Sequence, residues 1–376
     1  MATVYLCIGT MKTGTSAIQK FMRKNKTELD KQGYCYPRCN VSKRNIMYRN
    51  ANFLIHKPYA GEELTAEEAF EKGMLKMQQL AQKYENIVLS DELIWHYSGK
   101  IKYFWHKTRE RFENIGCKVK VVVYLRRQDE LVQSLWNQNV KSNERWQTSF
   151  EQFIEEKKFR YFPLDYYKKL TQIAGIMGKE NVIVRVYERG QFEDGDLIAD
   201  FTKTLGIQLN DQFKMLDSAI NLSLKGNFLE IKRMINGVPA YREKTDFLQN
   251  TLLTACSEKD KIVPIEKTSL FKYEDQVAFQ SKYDKSNEKV AREFLGREDG
   301  ILFYDPIKEL PYYDPKNDKM LEDFIHFTVN YMCKQEEKIE ALEQNLEKLK
   351  EKLKEEPPVS FSQKAYGKLK KMVKGE

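Results

Sequence analysis

An apolar run, Val4-Tyr5-Leu6-Cys7-Ile8, leads directly into Gly9-Thr10-Met11-Lys12-Thr13-Gly14-Thr15-Ser16, and a helical pattern continues from Ser16 to about Lys31. This succession of strand, glycine loop and helix constrains the fold more than any other stretch of the chain. Gly9 and Gly14 permit a tight turn because they lack a Cβ. The backbone N–H groups then point into the bend. Together with the helix dipole they form a cradle for an anion. Lys12 adds a positive charge, and Thr15 and Ser16 add hydroxyl donors. An ordinary glycine-containing turn between a strand and a helix needs neither.

The spacing comes close to the phosphate loop of nucleoside triphosphatases, in which the second glycine is followed by lysine and then serine or threonine. Here Thr15 follows Gly14, and the lysine has moved forward to Lys12. An enzyme of that kind would lose its clamp on the β- and γ-phosphates. The substitution therefore argues against ATP or GTP as the ligand.

Three further apolar runs read as buried strands: Ile87 to Leu89, Val119 to Leu125, and Val182 to Val186 after the turn signal Gly178-Lys179-Glu180-Asn181. Helical patterns near 65–83, 127–141, 165–177 and 195–205 separate or follow them. Strands alternating with helices predict a three-layer α/β domain with a mainly parallel sheet over residues 1–330. Beyond Asp217 the strand signal fades, and 223–236, 245–257 and 285–296 read as helices. At the end, Ile339, Leu342, Leu346, Leu349 and Leu353 alternate spacings of three and four, with lysine and glutamate between them. That heptad seam predicts a coiled-coil helix over 331–356, with self-association through 333–355. Glu355-Glu356-Pro357-Pro358 ends it. The last stretch, 357–376, mixes lysines with apolar residues and predicts a basic amphipathic tail whose residues 360–376 dock peripherally on an anionic membrane surface.

Two other strand ends carry charged residues. Arg126 follows the strand that ends at Leu125, and Ser134 lies eight residues later. Arg126 can make a bidentate fork to a phosphate. Alternatively, Arg126 and Arg127 form ion pairs with Asp129 and Glu130. After Ile87-Val88-Leu89 come Ser90, Asp91 and Glu92. A carboxylate there can serve as a general base, or Ser90 and Asp91 can cap the helix that follows. His96 lies one helical turn beyond Glu92 and can assist it.

The run Lys12-Thr13-Gly14-Thr15-Ser16 resembles the 5′-phosphosulfate loop of sulfotransferases that use 3′-phosphoadenosine 5′-phosphosulfate (PAPS). The resemblance implies that Lys12 touches the sulfuryl group and the bridging oxygen. It implies that Thr13, Gly14, Thr15 and Ser16 hold the 5′-phosphate, and that Arg126 and Ser134 hold the 3′-phosphate. Glu92 matches the family's base, with Asp91 the alternative. Segments 163–206 and 286–303 resemble bacterial enzymes of capsule, exopolysaccharide and lipopolysaccharide sulfation. The acceptor implied is a carbohydrate or glycolipid hydroxyl, with a lipid or small-molecule hydroxyl as runner-up. The product is 3′,5′-adenosine bisphosphate. The R-K-G-x-x-G run of animal cytosolic members is absent, leaving Arg292 and Arg297 as its stand-ins.

The rest of the composition narrows the choice. A net charge of +8 suits anionic ligands or a membrane surface and is too scattered to imply nucleic acid. The six cysteines show no disulfide framework, which fits a reducing compartment. Neither Cys35 and Cys39 nor the four histidines show metal-ligand spacing, so no metal is expected. The apolar stretch at the N-terminus is too short for a signal peptide, and the expected location is cytoplasmic. Two rivals come from other classes. A P-loop kinase would use Ile87 to Asp91 as a magnesium-binding strand, and Lys12 speaks against it. A non-catalytic scaffold would explain the coiled coil but not the loop.

Overall fold

The computed structural model describes the chain except residues 40–48, 56–63, 143–145, 217–222, 240–244 and 356–376. The basic tail expected over 357–376 lies outside the described residues.

Five strands form one sheet: β1 (Ala2–Cys7), β2 (Tyr34–Cys35), β3 (Asn86–Ser90), β4 (Cys117–Leu125) and β5 (Val182–Val186). Their order is β2-β3-β1-β4-β5, and every neighbouring pair is parallel. The apolar runs make this possible. Val4, Leu6, Ile87, Leu89, Val121 and Val123 are all buried, and so are Tyr5, Cys7, Val88, Val122 and Tyr124 on the alternate positions. A strand buried on both faces reads as an unbroken hydrophobic segment.

Helices cover both faces. The chain runs through α1 (Thr15–Lys24), α2 (Lys26–Lys31), α3 (Ala66–Ala81), α4 (Leu93–Tyr97), α5 (Phe104–Asn114), α6 (Gln128–Lys141), α7 (Phe150–Glu155), α8 (Tyr166–Met177) and α9 (Leu197–Leu205). It continues with α10 (Asn227–Asn236), α11 (Thr245–Ile262), α12 (Tyr273–Ser281), α13 (Asp284–Leu295) and α14 (Met320–Glu355). On one face, Ile18, Phe21 and Met22 of α1 and Ile198, Phe201 and Leu205 of α9 pack on Tyr5, Cys7, Val88 and Val122. On the other, α5 lies on β4 and α8 on β5. The expected α/β architecture is therefore present, with an all-parallel sheet.

One predicted helix is two. The pattern from Ser16 to Lys31 breaks at Asn25 (φ −107°, ψ 22°). Its side-chain amide donates to Phe21 O and Lys214 O, each at 3.0 Å, and its Oδ1 accepts from Lys214 N at 2.7 Å. An asparagine that bonds nearby backbone in this way competes with the helix ladder.

The chain divides into two compact units. The first comprises Met1–Asn221, Lys232–Pro239 and Glu266–Asp314 and contains the sheet. The second comprises Leu222–Ile231, Ala240–Ile265 and Pro315–Glu376. There α11 pairs with α14. Lys259 forms ion pairs with Asp323 and Glu322, Asn227 donates to Asp323 Oδ2 at 2.8 Å, and Phe247 meets Tyr331 with ring centroids 5.6 Å apart. Among the described residues, no helix is long and apolar enough to cross a membrane.

Candidate active site

Parallel α/β sheets bind ligands at the carboxyl ends of their strands, where the strand order reverses. Here successive crossovers leave β1 toward β2 and β3 and then jump across it to β4, so the crevice opens at the ends of β1, β3 and β4. The glycine loop closes onto β4 through main-chain bonds. Ile8 N donates to Val122 O at 3.0 Å, Tyr124 N to Gly9 O at 2.7 Å, and Thr10 N to Tyr124 O at 2.8 Å. Gly9 adopts φ +112°, and a Cβ there would stand 3.2 Å from Glu92 O. The glycine therefore lets the loop lie against the end of β3.

The loop's own side chains then shape it. The buried Thr13 hydroxyl donates to Thr10 O at 2.7 Å, so it braces the turn from within. Lys12 takes a left-handed conformation at φ +64°, and Arg126 Nη1 donates to its carbonyl at 3.0 Å. Gly14, at φ +72°, is the N-cap of α1. Among the described residues, none of the N–H groups from Lys12 to Ser16 meets a protein acceptor. Unpaired amides at the start of a helix, beside its dipole, are a donor set that fits a phosphate or phosphosulfate. Thr15 is half-buried and Ser16 exposed at the start of α1.

Glu92 and Asp91 are adjacent in sequence and differ in surroundings. Asp91 is turned inward. Its Oδ1 accepts from Leu93 N at 3.0 Å and from Arg49 Nη1 at 3.3 Å. Burial holds its carboxyl well above the usual carboxylate range; Arg49 opposes this and the charge of Glu92 adds to it. Glu92 is half-buried, and its Oε2 accepts from Gln19 Nε2 at 3.1 Å. The same amide donates to Ser90 Oγ at 3.1 Å, so one side chain of α1 fixes the end of β3. The Lys12 ammonium lies within electrostatic reach of both Arg126 and Glu92. Burial pulls it below the usual lysine range, Arg126 lowers it further, and Glu92 opposes them.

Arg126 is held from several sides. Its Nε donates to Glu130 Oε2 at 3.1 Å, its Nη1 to Lys12 O, and its guanidinium carbon lies 5.7 Å from the Tyr187 ring centroid. Tyr166 Oη donates to the Arg126 carbonyl at 2.5 Å. Arg127 turns away and pairs with Asp129 at 2.7 Å. Arg126 thus forms the ion pair expected with Glu130 and also bonds the loop through the Lys12 carbonyl. Lys12, Glu92 and Arg126 come together around the loop. Ser134 lies two turns along α6, half-buried, and joins them by no hydrogen bond among the described residues. His96 lies in α4, with Nε2 2.9 Å from Lys100 Nζ and its ring stacked on Phe162. Arg292 pairs with Glu288 at 2.9 Å, and Arg297 donates to Ile301 O and Leu302 O at 2.8 and 2.9 Å. Among the described residues, neither forms a hydrogen bond or ion pair with residues 9–16.

Gln19 and Tyr187 escape a reading of the sequence alone. Gln19 leaves one trace, as the lone amide among the buried positions Ile18, Phe21 and Met22 of α1. Tyr187 leaves none, because its place is set by β5 pairing with β4 (Tyr187 N to Leu125 O, 2.7 Å).

No family model matches the chain. An uncharacterized protein of Archaeoglobus fulgidus is 30% identical over 207 residues, 54% of this chain and 52% of that protein. The chain thus spans about half the length of the curated relative it matches. A crystal structure of a sulfotransferase from Alicyclobacillus acidocaldarius aligns with 67% of this chain and 94% of its own, at 14% identity and a TM-score of 0.37.

Proposed function

We propose that the chain is a sulfotransferase that moves a sulfuryl group from PAPS to a hydroxyl acceptor, a sugar of a cell-surface polysaccharide or glycolipid. The observation that carries this reading is the convergence of Lys12, Glu92 and Arg126 on a loop whose amides from Lys12 to Ser16 have no protein acceptor among the described residues. When bound, PAPS supplies the sulfuryl group: the acceptor oxygen bonds to sulfur as the bridging S–O bond breaks, and that electron pair stays on the 5′-phosphate. Glu92 accepts the proton of the acceptor hydroxyl. Gln19 holds Glu92 by its other side, so the carboxylate is aimed before the acceptor arrives. Lys12 and the loop amides face the charge that develops on the leaving phosphate. Arg126, fixed by Glu130 and the Lys12 carbonyl, offers its remaining N–H groups to the 3′-phosphate, with Ser134 a further donor. Asp91 shapes the turn beneath Glu92.

Thermal stabilisation by 3′,5′-adenosine bisphosphate against Mg-ATP tests the reading. A ligand at about 100 times its Kd stabilises by roughly 2.7 kcal/mol. The bisphosphate should raise Tm and Mg-ATP should not; the reverse pattern favours a kinase. Glu92→Gln should then cut turnover about 10²–10⁴-fold and leave nucleotide binding nearly intact. If Asp91→Asn is the dead variant and Glu92→Gln is active, the base is Asp91.

A further inference from the structure

Beyond His96, one helical turn from Glu92, the first unit holds a cavity of about 450 Å³. That size suits a small ligand. Two hydrogen bonds tie its neighbourhood to the elements that carry the candidate site. Trp95 Nε1 donates to Pro163 O at 3.1 Å, and Tyr166, three residues on, bonds the Arg126 carbonyl. Lys169 lines this cavity and is 6% exposed. Its ammonium donates to a neutral group, Ser98 Oγ, at 2.9 Å. Among the described residues it has no carboxylate within ion-pair distance. Lysine is almost never buried unless paired. Burial alone pulls its pKa down to about 8, so it still carries its charge at neutral pH.

The other charged side chains of the lining are mainly of the same sign. Lys100, Arg160 and Lys168 stand at the exposed edge, and Asp165 is the one carboxylate. Asp165 is already engaged: its Oδ1 accepts from Lys168 N at 3.0 Å and from Ser286 Oγ at 2.7 Å. Phe162 and Tyr161 line the same wall, Phe162 stacked on His96. Rings beside an uncompensated buried cation suit a sugar that carries an acid.

We propose that this cavity is the acceptor subsite and that it takes an acidic sugar, with the buried Lys169 ammonium as counter-ion to the sugar's carboxylate. The identity of the subsite rests on the sulfotransferase reading; the preference for an acidic sugar does not.

The test is calorimetry on the full chain with three probes: a glucuronic-acid disaccharide, its neutral glucose counterpart, and glucose 6-phosphate. The acidic disaccharide should bind at least tenfold more tightly than the neutral one. Lys169→Met should abolish that difference and leave adenosine bisphosphate binding unchanged. Should Lys169→Met not fold, Lys100→Ala with Arg160→Ala, both at exposed positions, should shrink the same difference several-fold. Equal binding of the two disaccharides, no saturable binding of the acidic one at millimolar concentration, or an unchanged preference in a folded variant overturns the proposal. Tighter binding of glucose 6-phosphate than of the uronate overturns the carboxylate assignment. Loss of nucleotide binding with the uronate preference intact breaks the sulfotransferase reading and leaves the acidic-sugar site standing. The opposite pattern breaks only the inference drawn from the cavity.

Discussion

Arg126 shows how one residue serves structure and site together. Its ion pair with Glu130 is half-exposed, and pairs of that kind contribute little to stability. Its bond to the Lys12 carbonyl matters more, because it fixes a non-glycine residue in the left-handed region. Arg126→Ala should weaken adenosine bisphosphate binding by about 1.5–3 kcal/mol, the scale of a charged hydrogen bond. Calorimetry that finds unchanged affinity in a folded variant removes Arg126 from the nucleotide site. Asp91 gives a second prediction, in pH. Its carboxyl is raised above the ordinary value of about 3.9, mainly by burial. The native state therefore binds more protons than the unfolded chain above about pH 4. The contribution of Asp91 to stability is full below that pH and is lost as pH rises through the raised value. Asp91→Asn removes the effect and keeps an oxygen for Leu93 N. The Tm of Asp91→Asn minus that of the wild type should climb between about pH 4 and pH 8, and thermal denaturation of both across that range checks it. A difference that stays flat with pH contradicts the raised value.

At the scale of elements, legibility followed burial. The strands at Val4, Ile87 and Val119 are buried on both faces over most of their length and the Val182 strand chiefly on one, and in each an apolar run marks the strand. The edge strand β2 has two residues, too few for any period to show. The break between α1 and α2 has only Asn25 as a local sign and depends also on Lys214, far along the chain. The same division holds in the candidate site. Lys12, Glu92 and Arg126 sit at strand ends that the sequence marks, so their positions could be read. Gln19 reaches Glu92 across 73 residues, and Lys169 is an ordinary helix lysine until α8 is packed. Gly14 ties two elements together. A Cβ there would lie 2.2 Å from Leu197 Cδ2 of α9, and φ is +72°. Gly14→Ala should cost about 1–2 kcal/mol for the left-handed conformation, and more because Leu197 must move. In a Leu197→Ala background the contact is gone and the conformational cost remains, so the substitution should be milder there. Urea denaturation of the four proteins measures the coupling. Equal costs in both backgrounds would show that Leu197 yields freely.

At the scale of the whole molecule, the second unit carries α14, 36 residues long and so about 54 Å from end to end. Its first half is anchored through Asp323 and Tyr331, and its second half presents Ile339, Leu342, Leu346 and Leu349, each between 48% and 59% exposed. Spacings of three, four and three put them on one stripe, flanked by lysine and glutamate. Scattered apolar residues on a surface need no explanation, but a regular stripe on an exposed helix face is the pattern that a second copy would cover. We therefore expect the chain to self-associate through this seam. Burying a leucine contributes about 1.5–3 kcal/mol. Leu342→Glu with Leu346→Glu, which buries charge in place of two such side chains per copy, should raise the dissociation constant by at least two decades. Sedimentation equilibrium of the wild type and the double variant measures the shift. The site residues all lie in the first unit, so adenosine bisphosphate binding by the double variant should be unchanged. A wild-type chain that stays monomeric at tens of micromolar would refute the seam as an interface, and lost nucleotide binding in the double variant would show that the site depends on assembly.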